Sequence, residues 1–263
     1  MVQFKDDFSA LDQEKILHFI FYPRRSPVVR SSTPKATDYK IPVDQGVSIG
    51  CRFHLCSIEA PNILYFHGNG EIVTDYDDIA PMYEGIGVNL FVTDYRGYGF
   101  SNGAPTVTHM IADAHKIFES FINILKKEGH IGKAFVMGRS LGSASAIELA
   151  CNYPNQIDGL IIESGFASIP DLLEARGLPL GLLNLSKETE SSNLSNIRSI
   201  SMPTLIIHAM YDQLIPLSQG KALFDNLPVK DKRMLIIPDA DHNNIMFAGI
   251  EKYFKAIKEF IFT

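Results

Sequence analysis

The pentapeptide Gly138–Gly142, which reads Gly-Arg-Ser-Leu-Gly, constrains this chain more than any other stretch. The apolar run Ala134–Met137 precedes it and predicts a strand, and Ala144–Ala150 follows it and predicts a helix. A strand that turns sharply into a helix leaves little room for side chains two residues either side of the apex, and glycine supplies that room. The apex residue is forced towards unfavourable backbone angles. The pattern therefore predicts a nucleophile elbow that presents the hydroxyl of Ser140 beyond the edge of a sheet.

Short apolar runs rich in β-branched and aromatic residues alternate with amphipathic segments from about residue 60 onwards. Near-continuous apolarity is typical of strands that are buried on both faces. The alternation predicts an α/β fold with a mostly parallel central sheet and helices on both faces. The predicted strands are Asn62–Phe66, Asn89–Thr93, Ala134–Met137, Gly159–Ile162, Thr204–Ile207 and Met234–Ile237, and the predicted helices are Val107–Lys127, Ser140–Tyr153, Ser218–Leu227 and Asn243–Phe260.

Two segments depart from this alternation. Ile41–Ser57 alternates around an Asp-Gln-Gly turn and predicts an antiparallel hairpin at one edge of the sheet. Gly165–Ser201 is a long insert in which an apolar piece, Gly177–Leu185, precedes a polar piece, Ser186–Ser195. Such an insert predicts either a lid, which we place at about residues 166–200, or a disordered loop. No composition shift marks a boundary, so we expect one α/β domain over residues 1–263.

A serine nucleophile requires a histidine base, and the base requires an acid that orients it. In this architecture both lie past the ends of strands downstream of the serine, in the order serine, acid, histidine. Asp212 and His242 each follow a predicted strand in that order. Glu163 also ends a predicted strand and remains an alternative acid. His208 precedes Asp212, so its order is wrong for the base, and we expect it in the core or supporting the site.

An acyl-transfer site also needs two preorganised donors for the oxyanion. The elbow supplies one of them, the backbone N–H of Leu141. The loop His67–Gly70 follows a predicted strand, and its glycines favour presentation of a second N–H, that of Asn69. Another glycine-rich loop, Asp94–Ser101, also follows a strand but lacks the third glycine of a dinucleotide fingerprint. We expect this second loop to pack beside the rim of the site.

Together these motifs resemble those of the α/β-hydrolase superfamily, and the resemblance runs from about Ile41 to the C-terminus. The motifs that carry it are His-Gly-Asn-Gly at 67–70, Asp-Tyr-Arg-Gly-Tyr-Gly-Phe-Ser at 94–101, Gly-Arg-Ser-Leu-Gly at 138–142 and Asp-His-Asn at 241–243. The resemblance implies a serine hydrolase with a triad of Ser140, Asp212 and His242, an oxyanion hole at Asn69 and Leu141, and neither a metal nor an organic cofactor. One departure is Ala209, where many relatives have glycine, and it bears on the geometry of the loop before Asp212.

The reaction implied is cleavage of a carboxylic ester or thioester through an acyl-enzyme intermediate. The apolar piece of the insert favours a small to medium apolar acyl group. Two alternatives keep the same triad, namely a peptidase and a hydrolase of carbon–carbon bonds. A third alternative is a non-catalytic binding protein on the same fold. Proteins of that third kind usually lack a triad member or an elbow glycine, and this chain has them all.

Composition excludes some classes of partner, and the partner expected from the resemblance is a small-molecule ester or thioester substrate. The net charge of −6 and the absence of a basic stripe argue against nucleic acid. Cys51, Cys56 and Cys151 fit neither a disulfide framework nor a zinc site and predict reduced, buried thiols. No apolar run is long enough to span a membrane and the N-terminus is acidic, so we expect a cytoplasmic protein without an integral membrane segment. The short apolar stretch Ile16–Tyr22 is expected to dock on the protein body. The sequence does not define an oligomeric state.

Overall fold

A central β-sheet organises the described residues of this computed structural model, which are 8–27, 31, 35–175, 181 and 192–263. Its eight strands are β1 (Ala36–Asp44), β2 (Val47–His54), β3 (Asn62–Phe66), β4 (Asn89–Thr93), β5 (Ala134–Arg139), β6 (Gly159–Glu163), β7 (Thr204–Ala209) and β8 (Lys232–Ile237). They lie in the order β1-β2-β4-β3-β5-β6-β7-β8. Strands β3 to β8 are parallel, whereas β2 pairs antiparallel with β1 and β4. The predicted fold class is confirmed.

Every residue of β3, β4, β5, β6 and β7 is buried, as their continuous apolarity predicted. Strands β3 and β4 have the predicted bounds. Strands β5 and β6 continue past their predicted ends because parallel pairing extends through two polar residues, Arg139 and Glu163, which lie opposite each other. Charged side chains buried at the carboxyl ends of central strands are unusual and draw attention to this edge of the sheet.

The described helices include the four predicted ones, with ends within two residues of the prediction, and several short helices that were not predicted. They are α1 (Glu14–Ile20), α2 (Ala80–Gly85), α3 (Val107–Glu128), α4 (Gly142–Asn152), α5 (Ile169–Ala175), α6 (Ser192–Ile197), α7 (Leu217–Asn226), α8 (Ile245–Ala248) and α9 (Ile250–Ile261), with 3₁₀ turns at Ser9–Leu11 and Val73–Asp77. Helix α4 begins two residues later than predicted because Ser140 has a positive φ of 51°. The predicted C-terminal helix is divided into α8 and α9 at Gly249, where a Cβ atom would lie 2.7 Å from Cγ2 of Ile237.

The helices cover both faces of the sheet, and each face has its own apolar core. Because neighbouring residues of a strand point to opposite faces, Phe91 of β4 packs in one core while Leu90 and Val92 pack in the other. Helices α3, α4 and α7 supply the first core, and α2 and α9 supply the second. Both faces are therefore buried, as a parallel sheet requires.

The predicted hairpin consists of β1 and β2 and lies at the edge of the sheet, although it begins earlier than predicted, at Ala36. The apolar stretch Ile16–Tyr22 lies largely in α1 and docks on the body through the buried side chains of Ile16 and Phe21. Among the described residues, no helix is both long and apolar enough to cross a membrane.

Only part of the predicted lid falls within the described residues, and that part includes α5 and α6. The apolar piece Gly177–Leu185, apart from Gly181, and residues 186–191 of the polar piece lie outside them. The three cysteines are free thiols, as predicted. Cys51 is buried, whereas Cys56 and Cys151 are half-buried, so the expectation of burial was wrong for these two.

Candidate active site

Ser140 lies at the apex of the turn between β5 and α4. Its φ of 51° is in the left-handed region, which is unfavourable for a residue with a side chain. A Cβ atom on Gly138 would lie 2.3 Å from the carbonyl oxygen of Gly142, and one on Gly142 would lie 2.1 Å from that of Phe66 in β3. Both distances are far shorter than van der Waals contact. The turn therefore requires both glycines, as the pattern predicted.

His242 and Asp212 lie beside Ser140 in a chain of hydrogen bonds. The Nε2 atom of His242 is 3.0 Å from Oγ of Ser140, and its Nδ1 atom is 2.7 Å from Oδ2 of Asp212. The other carboxylate oxygen of Asp212 accepts hydrogen bonds from the backbone N–H groups of Leu214 and Ile215, at 3.0 and 2.7 Å. The three predicted residues come from the ends of three different strands and are brought together here.

The surroundings of Asp212 favour its ionised form. Burial acts to raise the pKa of this carboxyl group, but the hydrogen bond to His242 and the N–H of Ile215 outweigh burial and lower the pKa below its usual value. His208 lies behind the carboxylate, with Nε2 2.9 Å from the carbonyl oxygen of Ile215 and 3.7 Å from Asp212. Burial lowers the pKa of His208 and so favours its neutral form, and the side chain supports the loop as expected.

Glu163, the alternative acid, has different partners. Its Oε2 atom accepts hydrogen bonds from the hydroxyl groups of Tyr253, at 2.5 Å, and Tyr65, at 3.5 Å. Burial raises the pKa of this carboxyl group. The carboxylate that is hydrogen-bonded to His242 is that of Asp212, so the geometry favours Asp212 as the orienting acid.

The predicted donors of the oxyanion hole, Asn69 and Leu141, line the same pocket as Ser140. No described residue accepts a hydrogen bond from the backbone N–H of either one. The side-chain oxygen of Asn69 accepts hydrogen bonds from the N–H of Tyr22 and the hydroxyl of Tyr98, both at 2.7 Å. These bonds hold the loop while leaving its backbone N–H available.

The loop Asp94–Ser101 packs against the loop His67–Gly70 (the donor loop), as expected. The carboxylate of Asp94 is 3.2 Å from Nε2 of His67, and the hydroxyl of Tyr95 donates to the carbonyl oxygen of His67 at 2.6 Å. All three side chains are buried. The second glycine-rich loop therefore supports the first one.

Known proteins share this architecture. The family model of the serine aminopeptidases, S33, matches residues 59–189. Protein bem46 of Schizosaccharomyces pombe is 30% identical over 207 residues, which cover 76% of this chain and 67% of bem46. Human alpha/beta hydrolase domain-containing protein 17B is 29% identical over 228 residues, which cover 82% of this chain and 72% of that protein. The chain belongs to the α/β-hydrolase superfamily.

The solved esterase Pf2001 of Pyrococcus furiosus has the same fold, with a TM-score of 0.71, 20% identity, and coverage of 90% of this chain and 97% of that one.

An apolar pocket opens at the serine of this α/β-hydrolase. Of the described residues, ten line it and eight of these are apolar, which suits the hydrocarbon part of a ligand. Helix α5 contributes three of the eight, and Phe19 and Ile20 of α1 form part of the wall. The lining residues are Phe19, Ile20, Asn69, Ser140, Leu141, Phe166, Ile169, Leu172, Leu173 and Ile215.

Sequence reasoning missed two features of this site. It predicted that the segment containing α1 docks on the protein but not that the segment lines the pocket. It also gave no role to Arg139 and Glu71, whose side chains pair at 3.0 Å beneath the site. Their positions carried a signal, because Arg139 lies within the elbow pentapeptide and Glu71 directly follows the donor loop. Within the described ranges, no cluster of His, Cys, Asp and Glu side chains could hold a metal ion.

The elbow yields a prediction about stability. Gly142→Ala places a methyl group against the carbonyl oxygen of Phe66, so we expect the free energy of unfolding to fall by about 3 kcal/mol or more. Gly85→Ala is the matched control, since a Cβ there has no atom within 4 Å and alanine favours the helix. Urea unfolding measures both variants. A Gly142→Ala protein as stable as Gly85→Ala would contradict the close approach of α4 to β3.

Proposed function

We propose that this α/β-hydrolase is a serine hydrolase that cleaves carboxylic esters or thioesters of apolar acids. The hydrogen-bond chain from Ser140 through His242 to Asp212 carries the proposal, because both of its distances suit proton transfer and orientation of the base. The apolar pocket beside the serine supports an apolar acyl group. The esterase activity named for the structurally similar Pf2001 also supports an ester substrate.

In the proposed reaction, Nε2 of His242 takes the proton of Ser140 while Oγ attacks the acyl carbonyl carbon. Asp212 holds the imidazole in the tautomer that can accept this proton and stabilises the imidazolium that forms. His242 then donates the proton to the leaving alcohol or thiol, and an acyl-enzyme remains. A water molecule, activated by the same histidine, attacks the acyl-enzyme, releases the acid and restores Ser140.

The negative charge that develops on the carbonyl oxygen requires donors that are already in place. In the proposal these donors are the backbone N–H groups of Leu141 and Asn69. Leu141 follows the nucleophile directly, and Asn69 is held by its side-chain bonds to Tyr22 and Tyr98. Little reorganisation is then needed when the tetrahedral intermediate forms.

The lining of the pocket favours an ester over the substrate of an aminopeptidase. An aminopeptidase must hold the substrate's α-ammonium group, and a carboxylate is the usual partner for a desolvated ammonium group. None of the described residues that line this pocket is charged. The pocket therefore fits an uncharged hydrocarbon chain better than a peptide N-terminus.

The first test of this proposal is labelling with a fluorophosphonate probe, followed by peptide mapping. We expect one adduct, on Ser140, because only an activated hydroxyl reacts readily with this probe. Ser140→Ala should lose both the adduct and ester turnover. Ser145→Ala, at a fully buried serine of helix α4, is the control and should retain both. Turnover that persists in Ser140→Ala, or a folded wild-type protein without an adduct, would exclude the proposed reaction.

The identity of the acid gives a second prediction. Asp212→Asn should lower kcat by about 10³- to 10⁴-fold, because an amide favours the wrong histidine tautomer. Glu163→Gln should lower kcat by less than about tenfold, because Glu163 makes no hydrogen bond to His242. Steady-state kinetics on one ester compares the two variants. A larger loss in Glu163→Gln than in Asp212→Asn would reverse the assignment.

The pocket wall gives a third prediction. Phe19→Ala enlarges the pocket, so kcat/KM should shift by about tenfold towards longer chains on a panel of para-nitrophenyl esters. Leu17→Ala removes a half-buried side chain from the same helix that does not line the pocket, and it should leave the chain-length profile unchanged. An unchanged profile in Phe19→Ala would show that α1 does not bound the acyl group.

A further inference from the structure

A cluster of three charged side chains, Arg139, Glu71 and Glu163, lies beneath the site and plays no part in the proton transfers described above. We propose that Arg139 is a positioning residue that uses this cluster to hold the base loop (residues 238–244, which include His242) and the donor loop (His67–Gly70) in one fixed arrangement. The inference rests on the proposed function, since it concerns how that site is kept assembled.

The first contact joins Arg139 to the base. Its Nη2 atom donates a hydrogen bond of 3.0 Å to the backbone carbonyl oxygen of His242. The side chain of Arg139 is only 10% exposed, so water competes little for this bond. A hydrogen bond from a charged group is stronger than a neutral one. The backbone of the base is thereby tied to the residue that precedes the nucleophile.

The second contact joins Arg139 to the donor loop through Glu71. The Nε atom of Arg139 is 3.0 Å from Oε1 of Glu71. The other oxygen of Glu71 accepts hydrogen bonds from the backbone N–H of Gly68, at 2.9 Å, and from the hydroxyl of Tyr76, at 2.7 Å. Gly68 directly precedes Asn69, so a continuous path of contacts links His242 to the second oxyanion donor.

The third contact joins the cluster to the nucleophile turn. Glu163 lies opposite Arg139 in the sheet, and its Oε1 atom is 3.6 Å from Nε of Arg139, a charge contact beyond hydrogen-bond length. The backbone carbonyl of Glu163 accepts the hydrogen bond from the N–H of Ser140, at 2.8 Å. Arg139 therefore contacts groups that are linked to the nucleophile turn, to the backbone of the base and to the donor loop.

The cation of Arg139 and the carboxylate of Glu71 favour each other's charged form. Burial alone would disfavour the cation of Arg139, but the carboxyl groups of Glu71 and Glu163 raise its pKa above the usual value. Burial would likewise raise the pKa of Glu71, yet Arg139 lowers it overall. Removing the cation leaves two largely buried carboxyl groups without an opposite charge beside them, which is costly. Lysine cannot replace arginine fully, because a single ammonium group lacks the rigid fork that donates in two directions.

The test compares Arg139→Met, Arg139→Lys and Glu71→Gln with wild type. The readouts are kcat and KM on an apolar ester, the rate of fluorophosphonate labelling at Ser140, and thermal unfolding. Small displacements of catalytic groups reduce the rate of the chemical step more than they affect binding. We expect Arg139→Met to lower kcat and the labelling rate by roughly 10- to 100-fold with KM within about twofold. Arg139→Lys should recover part of this loss, and Glu71→Gln should lower kcat by roughly three- to tenfold.

Arg52→Met is the matched control for loss of a buried cation. Arg52 is fully buried and pairs with two carboxylates, those of Asp38 and Asp77, at the edge hairpin rather than beneath the site. The Arg52→Met protein should unfold at a lower temperature than wild type and keep the wild-type kcat. An equal loss of kcat in this control would overturn the inference, since general destabilisation would then explain the effect.

Two further outcomes separate this inference from the proposed function. If the wild-type protein is labelled and a folded Arg139→Met protein is labelled at the same rate, the positioning role is wrong and the proposed function stands. If Arg139→Met does not fold, Glu71→Gln decides, and wild-type kcat in that folded variant overturns the inference. If the folded wild-type protein is not labelled, the proposed function fails and the inference fails with it.

Discussion

The close approach of helix α4 to strand β3 is the constraint on which the site depends. Gly142 lies against the carbonyl group of Phe66, so the start of the helix is in close backbone contact with β3, the strand that leads into the donor loop. This contact sets the distance between Ser140 on one side and Asn69 on the other. The strained φ of Ser140 follows from the same geometry, because the chain must reverse within a few residues to bring α4 onto the sheet. Packing of the two adjacent cores stabilises the fold against that strain.

The site is assembled from loops, yet each loop is held by buried polar contacts beneath it. In the loop that carries Asp212, the carboxylate accepts a hydrogen bond from the backbone N–H of Ile215, and His208 packs behind this loop. The donor loop is held from below by Asp94 and from the side by Glu71. Arg139 lies between these supports and contacts the base loop as well. The geometry of the loops around Ser140 is thus supported by buried side chains that do not line the pocket, as a preorganised site requires.

Features encoded in short sequence windows could be predicted, and features set by long-range packing could not. The bounds of β3 and β4 and the need for glycine at 138 and 142 follow from local patterning and sterics. The order of Asp212 and His242 follows from the placement of loops at strand ends. The break at Gly249 depends on a contact with Ile237 in β8, which no window around Gly249 contains. The pocket wall supplied by α1 likewise depends on where a distant segment docks.

The position of the N-terminal segment has a consequence for how such proteins diversify. Phe19 and Ile20 reach the pocket from a part of the chain that precedes the whole sheet, and the backbone N–H of Tyr22 in that part donates a hydrogen bond to the side-chain oxygen of Asn69. Substitutions in this segment can change the shape of the pocket while the strands that precede Ser140, Asp212 and His242 stay unchanged. One part of the pocket wall, that of Phe19 and Ile20, is therefore encoded apart from the stretches that carry Ser140, Asp212 and His242. A change of side chain in that segment can reshape the pocket while the strands that position these three residues keep their sequence.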